Sequence, residues 1–161
     1  MKKISLVILL SLFLLTSCLT QKEQIAYQNS ISKMLAKNQF TFEAQRANPM
    51  SVNLINPQLL QLDGSYSVKI SADTLKCYLP YFGVAQQASY GTHGNSLNFI
   101  TTHFTLQKSE EKNGNYLINL QIEGQPLANK MSLSISPSGN TILTVNSVNR
   151  DAISFFGDLK L

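Results

Sequence analysis

Two cysteines, two histidines and nine acidic side chains carry the reactive chemistry of this sequence. One of them, Cys18, stands where its surroundings dictate a reaction. It follows Leu15-Thr16-Ser17, and that quartet closes an apolar run from Ile4 to Leu15 broken only by Ser5 and Ser11. Met1-Lys2-Lys3 places positive charge ahead of the run. At about twelve residues the run has the length of a secretory core segment, and it is short of the roughly 18–20 that cross a bilayer. A branched apolar residue, two small residues and a cysteine have the form of a bacterial lipobox. The small side chains admit extended chain to a peptidase, and the thiol is the nucleophile that takes up diacylglycerol. An ordinary signal peptide with an accidental cysteine is the alternative, but it leaves unexplained why the cysteine falls at the cleavage position. The sequence therefore predicts a signal peptide over 1–17, acylation at Cys18 and a lipidated polar tether over 18–24. Stable anchoring takes more than one acyl chain, which a diacylglyceryl group plus an N-acyl chain supplies.

The remaining reactive residues point away from catalysis. With Cys18 acylated, Cys77 has no disulfide partner within the chain. In Thr74-Leu75-Lys76-Cys77-Tyr78-Leu79, alternation puts it on one face with Leu75 and Leu79. That is the setting of a buried structural thiol; a catalytic thiolate wants a cation or histidine beside it. His93 and His103 stand at no recognisable spacing from it, and no metal-ligand pattern emerges. Glu110-Glu111 sits between Lys108 and Lys112 before Asn113-Gly114, as on a solvated hairpin tip. Carboxylates working as acid and base should instead face each other across a cleft. No nucleophile elbow, phosphate-cradling glycine loop or His-Glu-x-x-His is present. The expectation is a non-enzyme with neither cofactor nor metal.

Binding is the open question. Arg46 and Arg150 are the only arginines, and each suits either the anchoring of a chain corner or the clamping of an anion. Tyr78, Tyr81 and Phe82 surround Pro80 and precede Gly83. Pro80 cannot donate to a sheet ladder, so a strand ending at Leu79 stops or meets an edge there. The rings either plug one end of a core or rim a ligand cavity or partner surface, since small barrels fill their interior or hold one ligand. Tyr78, Tyr81, Phe82, Arg46 and Arg150 are thus the candidate rim.

These side chains need elements to hold them. Ile25, Tyr27, Ile31, Met34 and Leu35 recur at helical spacing between Glu23 and Lys37, predicting one amphipathic helix packed on the domain. Beyond Asn38 the period becomes two. Phe40, Phe42 and Ala44 alternate with polar residues, as do Tyr66, Val68 and Ile70, then Tyr116 to Ile122, then Met131 to Ile135. Further runs lie at 74–79, 97–101, 103–108, 141–148 and 152–156. Asp63-Gly64, Gly91 to Gly94, Asn113-Gly114 and Pro137 to Asn140 supply turns. Nine or ten short strands at this spacing predict an all-β fold, an antiparallel barrel or sandwich, preceded by one short helix. Removing residues 1–17 from 161 leaves 144, and residues 25–161 read as one domain. Losing Lys2 and Lys3 leaves 11 Lys and Arg against 9 Asp and Glu, a charge of +2. The lysines are scattered singly along the chain, so nucleic acid is not an expected partner.

Four stretches are unusual for filler: Arg46 to Met50, Tyr78 to Gly83, Ser89 to Gly91, and Asn149 to Gly157. With the lipobox they resemble a family of lipoproteins from Bacteroidota catalogued as domain of unknown function 4251. That family shows an Ala-x-Pro-Met-like segment, a Tyr-Leu-Pro-Tyr-Phe-Gly core and an Asn-Arg-x-x-Ile-Ser-Phe-Tyr-Gly ending. Here Phe156 replaces the last tyrosine, and Asn95-Ser96 stands where the family tends to have a glycine pair. The resemblance covers residues 38–159 and implies a lipocalin-like antiparallel barrel; it brings no activity with it.

The expectation for function is a lipid-anchored envelope domain that binds an apolar or amphipathic small ligand or an envelope protein. The alternative is a structural or assembly lipoprotein with a filled core, and an unrecognised hydrolase ranks last. Leu19 to Glu23 lacks both an inner-membrane-retaining aspartate and a dense acidic export tag. That places the domain in the periplasm on the outer membrane, with surface display left open and oligomeric state unassigned.

Overall fold

The computed structural model describes residues 25–50, 56–83 and 96–160. The expected signal peptide (1–17), Cys18, the expected tether (18–24), His93, the Ser89-Tyr90-Gly91 stretch and the turn expected over Gly91 to Gly94 lie outside these. Helix α1 spans residues 25–36. Nine strands follow: β1 (Gln39–Pro49), β2 (Ser67–Ser71), β3 (Thr74–Pro80), β4 (Ser96–Thr101), β5 (Phe104–Glu110), β6 (Tyr116–Ile122), β7 (Lys130–Ile135), β8 (Asn140–Asn146) and β9 (Ile153–Lys160). A short 3-10 turn, Pro57–Leu60, precedes β2.

All nine belong to one antiparallel sheet in the order β4-β3-β2-β1-β9-β8-β7-β6-β5, curled into a half-barrel. The first strand pairs with the last, Thr41 opposite Lys160 and Pro49 opposite Ile153. Strands β4 and β5 are the two edges of the sheet, yet only Thr102 and His103 separate them in the chain. Eight antiparallel steps part them, so they point the same way. They therefore act as one bent strand that leaves β3 and joins β6, carrying the chain across the seam as corner strands do. The bend has local chemistry: the His103 amide donates to Thr101 Oγ1 at 3.0 Å, and the His103 carbonyl accepts from the Glu123 amide at 3.0 Å.

The alternation read from the sequence decides which face is buried. Phe40, Phe42, Val68, Ile70, Leu75, Leu79, Leu120, Leu133, Leu143 and Phe155 point inward and are buried. In β1 the alternation breaks. A bulge between Ala44 and Arg46 turns both Gln45 and Arg46 outward and brings Ala47 in. Strict alternation would have sent Arg46 into the core, where an unpaired guanidinium costs far more than a bulge. The strand β9 backbone runs so close here that a Cβ on Gly157 would overlap the Glu43 carbonyl oxygen.

Helix α1 closes the end of the barrel holding the start of β1 and the β7–β8 turn. Ile31 and Leu35 enter the core, while Tyr27 and Met34 pack partly against it. Tyr27 lies over Gly139 of that turn, at φ +94°, where a Cβ would overlap its ring. Asn38 takes φ 51°, the left-handed conformation that ends helices. The Lys108 ammonium on β5 donates to the Leu35 carbonyl and, at 2.7 Å, to Asn38 Oδ1. A cation is thereby placed against the negative end of the helix. Lys108 is thus a helix cap, not part of the solvated hairpin tip expected around Glu110-Glu111.

Candidate functional site

The five residues of the expected rim occupy three separate places. Tyr81, Phe82 and Arg150 meet at the barrel end opposite α1. Tyr81 is only 3% exposed and its hydroxyl donates to the Asp151 carbonyl at 3.1 Å. The Arg150 guanidinium lies 5.0 Å from the Tyr81 ring centre. Phe82 packs half-buried against the core, and Gly83 leaves room for the Tyr81 ring, which a Cβ there would overlap. Burial raises the Tyr81 phenol's pKa, Asp151 adds to the rise, and Arg150 and the hydrogen bond oppose it. The phenol stays protonated and the group ties the end of β3 to the β8–β9 connection.

Arg46 lies on the outer face of the sheet, its guanidinium 4.6 Å from the centre of the Phe156 ring. Phe156 pairs with Ile142, which is 41% exposed. Arginine, aromatic ring and branched aliphatic side chain thus lie in one row across β1, β9 and β8. Tyr78 also faces outward, on β3, stacked on Tyr66 with ring centres 5.2 Å apart. Arg46 and Phe156 belong to separate sequence motifs, and only cross-strand register brings them into contact.

Two open hollows carry polar groups. One, of about 460 Å³, lies at the seam beside the bend and is lined by Ile100, Thr101, His103, Glu123, Gly124 and Gln125. The other, of about 310 Å³, lies on β5 to β7 against Thr105, Gln107, Asn119, Gln121 and Lys130. The second belongs to a polar row on the outer face, in which Ser132 donates to Asn119 at 2.7 Å and Asn48 to Ser154 at 3.2 Å. Both hollows present side chains that exchange hydrogen bonds. Cys77 is buried on the other side of β3, its thiol directed at the Leu97 carbonyl at 3.4 Å. Burial pushes that thiol far above the ordinary thiol range, the opposite of what a nucleophile needs. Among the described residues, no group of three or more His, Cys, Asp or Glu side chains gathers as a metal would require.

Comparison with known proteins agrees with this architecture. The family model described as domain of unknown function DUF4251 matches residues 22–159, a span that takes in α1 as well as the strands. Among solved structures, the chain is similar to the crystal structure of a DUF4251 family protein from Bacteroides eggerthii DSM 20697. The TM-score is 0.54 at 17% identity, over 84% of this chain and 90% of that one. At that identity the likeness speaks for the fold. No curated protein matches the chain.

Proposed function

This chain belongs to the DUF4251 family, and on that footing we propose that it is a lipid-anchored envelope domain that binds a protein partner without catalysing a reaction. The observation that carries the reading is the content of the barrel. Phe42, Phe155, Met131, Leu133 and Ile118 are each 0% exposed on the inward face, and Ile31 of α1 closes over them. Side chains occupy the interior where a lipocalin-like barrel would hold an apolar ligand. The outer face instead offers Arg46, Phe156 and Ile142. Arginine and aromatic residues are the side chains most enriched at protein interfaces and among their hot spots. Leu15 to Cys18 supports the anchor, and Leu19 to Glu23 favours the periplasmic leaflet of the outer membrane.

The test is a photo-crosslinking amino acid at position 142 of the lipoprotein in its own host, with position 109 on exposed β5 as control. A discrete protein adduct at 142 and none at 109 is the expected result. No adduct at 142, with a small apolar molecule retained in native mass spectrometry, would replace the partner by a ligand. Cys18→Ala should abolish incorporation of labelled fatty acid; continued labelling would remove the anchor.

A further inference from the structure

Lys69 and Lys76 stand singly in the sequence, but the β2–β3 register sets them directly opposite each other. Both are exposed on the outer face. Thr41 pairs with Lys69 on one side and with Lys160 on the other, and Lys76 pairs with Ile100. One row across five neighbouring strands therefore reads Lys160, Thr41, Lys69, Lys76, Ile100. Lys160 meets Glu43 at 3.1 Å. Among the described residues, Lys69 and Lys76 form no ion pair, and the nearest acid along the hairpin, Asp73 in the turn, accepts from Thr74. Like charges facing each other across a ladder destabilise a sheet. Ile100 closes the row with 65% of its surface exposed.

The row lies at the end of the barrel where the chain enters. Tyr27, two residues into α1, sits on the β7–β8 turn, and Lys160 is at the same end of β9. Cys18 is seven residues before residue 25, so the connecting chain reaches at most roughly 25 Å. The row itself, four strand spacings across, measures about 19 Å. An acylated Cys18 would thus hold these lysines within reach of the lipid surface in which it is embedded.

We propose that the outer face at Lys69 and Lys76, with Ile100 beside them, docks on anionic phospholipid headgroups of the leaflet that holds the anchor. The proposal rests on the lipid anchor proposed above. Phosphate groups supply the negative charge that the facing lysines lack, and Ile100 enters the headgroup boundary. Docking would present the opposite end of the barrel, with Phe82 and Arg150, away from the membrane.

Mature lipoprotein inserted into preformed vesicles provides the test, with amine acylation read by mass spectrometry. The vesicles are phosphatidylcholine alone or phosphatidylcholine with phosphatidylglycerol. A lysine near an anionic surface favours contact by about fivefold, so labelling of Lys69 and Lys76 should fall at least that much when phosphatidylglycerol is present. Lys130, exposed on the start of β7, should label equally in both. Protection should vanish at about 1 M salt, where charges are screened beyond roughly 3 Å. Protein that floats with both vesicles but labels identically overturns the docking and leaves the anchor standing. Protein that fails to float with either overturns the anchor, and the docking with it.

Discussion

Replacing Gly157 with Ala tests the tightest joint of the barrel. A Cβ at 157 would overlap the Glu43 carbonyl oxygen, and would come within 2.9 Å of the Glu43 carbonyl carbon and 3.0 Å of Phe42 Cε2. Two of these three atoms are backbone, so no rotamer change relieves the contact. Strand β9 must move off β1 beside the bulge, where Gly157 pairs with Ala44. Overpacking alone costs about 1–3 kcal/mol, and each ladder hydrogen bond lost adds about 1 kcal/mol. A total of about 3–4 kcal/mol corresponds to a Tm lower by roughly 10 °C for a domain of this size. Gly124→Ala is the control, since Gly124 has φ +66° with no atom within 4 Å of its added Cβ. It carries only the left-handed backbone penalty of about 1–2 kcal/mol. Thermal and urea unfolding of the two purified variants followed by circular dichroism measure both. If Gly157→Ala costs no more than Gly124→Ala, close approach of β1 and β9 is not what requires the glycine.

Lys108→Met keeps the aliphatic stem but removes the cation from the end of α1; a loss of about 1–2 kcal/mol is expected, with faster hydrogen exchange over residues 25–36. Unchanged exchange would mean that the helix end is held without it. Arg150→Ala should cost about 1 kcal/mol, the worth of a partly shielded cation over an aromatic ring, and Phe82→Ala about 2 kcal/mol because its ring is only half-buried. Wild-type urea midpoints for both would free them from the framework and return them to a binding rim. Cys77 should resist thiol reagents in the folded state and react on unfolding. Its raised pKa means that the unfolded chain gives up its proton first, so the thiol's contribution to stability is lost as pH rises above roughly 8.5. Reaction in the native protein at pH 8, or stability rising through that range, would contradict its burial.

Local pattern was sufficient for the parts of this protein that depend on one segment at a time. Period-two apolar residues place Phe40, Phe42, Val68, Ile70 and Leu133 inside because successive side chains of any strand leave on opposite faces. The helical spacing of Ile31 and Leu35, the Asn113-Gly114 and Pro137 to Asn140 turns, and the buried setting of Cys77 follow from equally short stretches. The lipidation proposed at Cys18 rests on a signal of the same local kind, since Leu15 to Cys18 is a pattern that enzymes would read from extended chain, not from a fold. Everything that joins distant segments waited for the tertiary structure. The bulge that turns Arg46 outward arises from the pairing of β1 with β9, about 110 residues apart in sequence. Within its own segment Lys108 reads as one charge of a hairpin tip, and only the packing of α1 against β5 makes it a helix cap. Phe156 under Arg46, Tyr78 on Tyr66, and Lys69 opposite Lys76 are matters of register. A shift of one residue would turn each strand's side chains to the other face, so no reading of a single strand could assign those contacts.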